Sequence, residues 1–199
     1  MKKKAAGYML TGQEERGITV LDEYIPLIPE IADYNMIKSV LLGQRGHCYY
    51  RLGEYDKSIK DAQEAVFLAE KTVDKNSRQL AYEYLRLATG YVGKEDWSTA
   101  LLYLEKAIPG YKQDTSSGKG TLYFNIGYVC WELEKYEEAK MYFLKSYVEK
   151  KAVIEDIGNA VGEGYDSNVK ARLHEIYQSE DSFVSFTDWL EQELNQIEQ

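Results

Sequence analysis

Three stretches of this chain align without a gap: Leu41–Ala65, Glu83–Ala107 and Leu122–Ser146. A small residue recurs in the first half of each, at Gly46, Ala88 and Gly127. Nine residues later comes an aromatic, at Tyr55, Trp97 and Tyr136. Small residues return at Ser58, Ala100 and Ala139, and again at Ala65, Ala107 and Ser146. Small side chains at fixed places let two helices approach closely, and the aromatic fills the gap where they diverge. One such pair cannot bury its apolar face alone, so neighbouring pairs must stack.

Helical periodicity gives the same reading independently. Ala139, Tyr142, Phe143, Ser146 and Tyr147 step as one apolar stripe, and Ile59, Ala62, Ala65, Val66, Ala69 and Val73 make another. Loops are expected at Gly53-Glu54, at Asp74–Ser77 and from Asp114 to Gly120. Only three prolines occur in 199 residues, which favours long helices because an interior proline removes a backbone donor.

The columns resemble the tetratricopeptide repeat. Its signature is carried by Leu52-Gly53-Glu54-Tyr55, by Ala100–Ala107 and by Tyr136-Glu137-Glu138-Ala139. A degenerate copy precedes them, with Ala5, Tyr8, Gly12, Gly17, Leu21 and Tyr24 in register and Pro29 at the closing position. The resemblance implies an all-α fold, a right-handed superhelical stack of antiparallel helix pairs. It is read as a single domain over 1–199, with a degenerate first repeat at 1–40. Clearer repeats follow at 41–80, 81–120 and 121–160, then capping helices at 161–199. The capping helices are expected at Ser167–Tyr177 and Phe183–Ile197, after a glycine-rich break at Gly158, Gly162 and Gly164. The small residues Gly17, Ser58, Ala100 and Ala139 are 41, 42 and 39 residues apart, against about 34 in the common repeat. The repeats thus look like the long variety found in bacterial peptide receptors and regulators.

The family's groove positions, carried over one by one, fall on Gln44, His47, Tyr50 and Arg51, then on Tyr82, Leu85, Arg86 and Thr89. In the third repeat they fall on Thr121, Phe124, Asn125, Tyr128 and Trp131. This face collects cations, amides and aromatics in a chain whose net charge is −9. Arg can bind a carboxylate with two parallel hydrogen bonds, and aromatics supply contact area at small entropic cost. The functional reading is a groove for a protein or peptide bearing acidic or carboxylate groups. The competing reading is a solvated face with ordinary packing between repeats, with Tyr50, Leu85 and Trp131 as packing residues. Co-chaperones of the family clamp a C-terminal carboxylate with a set pattern of Lys, Asn and Arg. Here those places hold Gly43, His47, Arg86, Thr121 and Asn125, so most of that pattern is missing.

Other chemistry is not expected. An acidic chain without clustered Lys and Arg does not suit nucleic acid. Lys2-Lys3-Lys4 precedes too short an apolar run for a signal peptide, and no segment approaches a membrane span. The chain therefore reads as cytoplasmic. Cys48 and Cys130 read as free core thiols, and neither histidine has ligand spacing to them, so no metal and no cofactor is expected. Ser117–Thr121 lacks the first glycine and the strand of a phosphate loop. No catalytic set is found. The chain is read as a non-enzymatic adaptor or scaffold. The alternative is a regulatory sensor that responds to a peptide or ligand, or a fragment of a larger regulator.

Overall fold

The computed structural model describes residues 12–112, 117–157, 163–180 and 182–197; side chains at 117, 151–157 and 163–167 are outside the description. Among the described residues the chain is helical, without strands. The helices are α1 (Glu14–Tyr24), α2 (Asn35–Arg51), α3 (Tyr55–Glu70), α4 (Arg78–Gly93) and α5 (Trp97–Tyr111). They continue with α6 (Ser117–Glu132), α7 (Tyr136–Ile157), α8 (Glu163–Ser179) and α9 (Phe186–Ile197). Two 3-10 turns, Ile25–Leu27 and Ala32–Tyr34, join α1 to α2. The chain divides into two units, Met1–Tyr111 and Lys112–Gln199.

The three aligned segments become the hairpins α2–α3, α4–α5 and α6–α7. Each turns on the same device. The amide of the residue just before the second helix reaches back to a carbonyl five positions earlier. Glu54 bonds Tyr49 O at 2.9 Å, Asp96 bonds Tyr91 O at 3.0 Å and Lys135 bonds Cys130 O at 2.9 Å. This closure needs a left-handed residue just after the first helix. Gly53 (φ 77°), Glu95 (φ 59°) and Glu134 (φ 59°) fill that place.

Inside the hairpins the small residues set the approach. A Cβ on Gly46 would stand 3.1 Å from Ser58 O, and one on Gly127 would stand 2.8 Å from the Phe143 ring. Ala88 and Ala100 meet the same requirement in the second hairpin, both fully buried. The first unit gathers Leu21, Ile25, Leu41, Leu42, Ala65 and Leu68 into one cluster. It also carries an internal ion pair. Arg45 donates to both oxygens of Asp61, at 2.7 and 2.8 Å, and to Asp22 at 2.7 Å, joining α1, α2 and α3. The second unit buries Leu122, Ile126, Val129, Phe143 and Leu144 with Val169, Leu173 and Ile176 of α8. Helix α9 seats Trp189 against Tyr177 of α8, ring centroids 5.7 Å apart.

Several boundaries differ from the sequence reading. Ser117–Gly120, expected as loop, opens α6; the rest of that loop, at 113–116, lies outside the described residues. Helix α7 runs on to Ile157, past the point where the apolar pattern fades. Helix α8 is longer at both ends than Ser167–Tyr177, and α9 starts at Phe186 rather than Phe183. Ser185 accounts for that start: its Oγ accepts the Asp188 amide at 3.2 Å and donates to the Asp188 carboxylate at 2.7 Å. Pro109 sits inside α5, within its last turn, where it removes only one ladder bond. The breakers Gly158 and Gly162, and the register residues Ala5 and Tyr8, lie outside the described residues.

Candidate functional site

The groove positions of the first unit lie on α2 and α4, the first helices of consecutive hairpins, which pack against each other. Gly43 makes that packing possible. A Cβ there would fall inside the Glu83 carboxylate and the Arg86 guanidinium. Glu83 is fully buried. Gln79 donates to it at 2.8 Å, and Arg86 Nη1 reaches its two oxygens at 3.2 and 3.1 Å. Burial pushes the Glu83 carboxyl above its ordinary value, against the pull of Arg86 and Gln79. Arg86 is itself stacked over Tyr82, 4.4 Å from the ring centroid.

A second arginine–carboxylate pair joins α2 to α1. Arg51 is half-exposed, and its Nε donates to Glu14 of α1 at 2.8 Å. The backbone amide of Glu14, and then Arg51, hold that carboxyl below its usual value, with burial opposing. His47 lies between the two arginines. Burial first, then Arg86 and Arg51, lower its pKa and leave the ring neutral at pH 7. Gln44 has a buried carbonyl oxygen with no hydrogen-bond partner among the described residues. Thr89 spends its hydroxyl on Leu85 O, 2.8 Å away in its own helix. Tyr82 is 45% exposed.

The cations expected on this face are therefore paired from beneath by two carboxylates that sequence reasoning missed, Glu14 and Glu83. A signal for Glu83 exists in the alignment: it occupies the column of Leu41 and Leu122, both buried. A charged residue in an apolar column needs a partner. Glu14 has no such signal, because its partner Arg51 is 37 residues away.

In the second unit the face of α6 is more aromatic. Phe124 packs on Phe143, ring centroids 5.7 Å apart, with the Lys150 ammonium 4.9 Å from its own centroid. Tyr128 faces the Arg172 guanidinium of α8 at 5.9 Å. Phe124 and Tyr128 join Asn168, Arg172 and Glu175 around a cavity of about 410 Å³. Trp131 lies apart from them at a second cavity, and Asn125 is half-buried and lines neither.

Both cysteines are free and buried, and burial pushes the Cys48 thiol up to about 11. Among the described residues no His, Cys, Asp and Glu group could hold a metal ion, and no helix is long and apolar enough to cross a membrane.

Comparison with known proteins agrees with this architecture. No curated protein matches the chain. Among solved structures, it is similar to the nearly identical TPR-like repeats of a Podosopora anserina protein described as a kinesin light chain. That match has a TM-score of 0.71 at 12% identity, covering 98% of this chain and 92% of that one. A single-substitution variant of the same protein gives a TM-score of 0.65 at 11% identity, covering 88% and 91%. At such identity the likeness speaks for the fold alone. Two tetratricopeptide repeat models match in sequence, over residues 38–113 and 120–147. These spans take in the three aligned segments, with their shared small-residue columns and left-handed turns, and on that ground the chain belongs to the tetratricopeptide repeat family.

Proposed function

We propose that this chain binds a protein or peptide as an adaptor, through the faces that the first helix of each hairpin leaves open. Tetratricopeptide repeats are protein-interaction modules in general. The observation that carries the finer reading is the pairing of Arg51 and Arg86 with carboxylates beneath them. Each pair fixes a guanidinium in one orientation before any partner arrives, so less side-chain entropy is lost on binding. Arg51, 52% exposed and bonded to Glu14 through Nε, keeps its Nη groups for an incoming carboxylate. Tyr82 and His47 supply contact area beside it. In the second unit, Phe124, Tyr128 and Arg172 offer a separate aromatic and cationic pocket.

The pairing also dictates the test. Arg86→Ala would strand a buried carboxylate and cost about 3 kcal/mol of stability, so lost binding would be uninformative. Arg51→Gln removes the cation from Glu14 but keeps a side-chain amide in its place, and the Glu14 carboxylate is held first by its own backbone amide; Tyr128→Ala removes no charge. Peptides would be selected from a random displayed library and their affinities measured by fluorescence anisotropy. Selected sequences should carry a carboxylate, and Arg51→Gln should weaken them about tenfold. Full affinity in both Arg51→Gln and Tyr128→Ala would remove these faces as the binding surface.

A further inference from the structure

The aromatic column of the repeat behaves differently at its two ends. Tyr55, in the first hairpin, is pressed so closely against α4 that a Cβ on Gly93 would fall within its ring. Tyr136, its counterpart in the third hairpin, is 52% exposed. It meets Trp131 edge-on, ring centroids 5.1 Å apart and planes at 72°. These two rings form one corner of a cavity of about 350 Å³, closed on the side of α8 by Ile176 and Ser179. That volume stands at the small end of ligand pockets, about 300–1,000 Å³, and suits one long side chain.

The charges around the cavity select the guest. Lys140 lies on its wall, but its ammonium is bound by Glu180 at 2.9 Å and Glu193 at 3.0 Å. Trp189 Nε1 donates to the other Glu180 oxygen at 2.9 Å, so that network is satisfied within itself. Glu137, also lining the cavity, is exposed and has no cationic partner among the described residues. Among the lining groups two carboxylates against one ammonium leave one net negative charge beside the two electron-rich rings, and Glu193, bound to Lys140, adds a second nearby. A planar, weakly hydrated guanidinium answers both features, since it stacks on aromatic faces and takes a carboxylate through paired donors.

We propose that the cavity between Trp131, Tyr136 and α8 is a specificity pocket for an arginine side chain of a partner protein. It is separate from the Phe124–Tyr128 face and does not depend on the reading of that face. The probe is acetyl-Gly-Arg-Gly-amide, titrated into the full chain labelled with nitrogen-15. The neutral isostere, with citrulline in place of arginine, is titrated in parallel. The expected result is saturable shifts at the Trp131 indole and the Ser179 amide, with citrulline at least about fivefold weaker. Glu137→Gln should weaken the arginine peptide about threefold, as befits an exposed ion pair. Tyr136→Leu should weaken it about fivefold while the spectrum keeps its dispersion. Equal binding of citrulline and arginine would overturn the proposal. So would shifts centred on Phe124 and Tyr128, or unchanged affinity in both variants.

Discussion

Where the first full repeat joins Arg45 to Asp61, the third carries Ile126 and Tyr142 at the equivalent positions. The second carries Leu87 and Tyr103. One backbone frame thus accepts an ion pair or apolar contacts at the same two places. The frame itself is held by what does not vary, the small residues and the turn. The ion pair adds something the apolar version lacks, a third hydrogen bond to Asp22 that ties α1 into the unit.

The largest test of this comparison is to break the ion pair and then to replace it. Asp61 is 8% exposed and Arg45 20%. Asp61→Ala leaves a mostly buried guanidinium with only its single bond to Asp22 and should cost about 3 kcal/mol, measured as a fall in the urea midpoint. The double change Arg45→Leu with Asp61→Tyr copies the second repeat. It should stay within about 1 kcal/mol of the natural chain, because well-packed apolar residues commonly substitute for a buried pair. Equal losses in the two variants would mean that the pair, and not the frame, holds the first repeat.

The next largest effect concerns the small-residue column. Gly127→Ala would drive a methyl to within 2.8 Å of the ring of Phe143, which has no exposed surface. Overpacking of this kind should cost about 2 kcal/mol. Gly46→Ala meets a backbone oxygen at 3.1 Å and faces Ala62 instead of an aromatic at the equivalent site. Ala gains about 1 kcal/mol of helix propensity over Gly, so the change should be close to neutral by thermal melting. A cost at Gly46 as large as that at Gly127 would remove Phe143 as the cause.

These columns explain how much of the molecule was legible. Gly46, Ala88 and Gly127 could be found in the sequence because close helix approach leaves few residue types to choose from. The hairpins followed from them. The polar partners were not legible, because pairing depends on which helices become neighbours. Arg45 and Asp61 are 16 residues apart, and Arg51 and Glu14 are 37 apart. The groove positions place Arg51 and Arg86 on α2 and α4, but nothing near them in the sequence points to Glu14 as a partner of Arg51. Helix ends failed for a local reason: Ser117–Gly120 has loop composition, yet it is the start of a helix whose Ser146 and Lys150 neighbours lie far along the chain.

A smaller effect separates the repeats through one hydroxyl. In the first, Ser39 of α2 donates to Ala65 O of α3 at 2.8 Å. In the third the roles are exchanged: Ser146 of α7 donates to Gly120 O of α6 at 2.7 Å. Gly120 and Ser146 are the aligned counterparts of Ser39 and Ala65, and the second repeat has alanine at both places, Ala81 and Ala107. One hydroxyl spanning the helices is therefore an optional addition to a close small-residue contact. Ser39→Ala and Ser146→Ala should each cost about 1 kcal/mol by urea denaturation. Adding Ala65→Ser to Ser39→Ala should return part of it by reproducing the third repeat's arrangement. No recovery would mean that the two sites differ in backbone spacing as well as in chemistry.

The smallest effect lies in the turn. Gly53 holds its left-handed backbone without cost, while Glu134 holds the same conformation at φ 59° with a Cβ. Left-handed backbone costs an L-residue about 1 kcal/mol, and glycine gives part of that back through its greater freedom in the unfolded chain. Glu134→Gly should therefore stabilise the third repeat by about 0.5 kcal/mol. Gly53→Ala should destabilise the first by about 1 kcal/mol. Both are read as shifts in denaturant midpoint at unchanged slope. Glu134 is exposed and its side chain makes no hydrogen bond or ion pair among the described residues, so opposite signs at the two turns would trace to backbone conformation alone. The same sign at both would mean that the third hairpin closes by side-chain packing, with the reach of Lys135 N to Cys130 O a consequence of that packing.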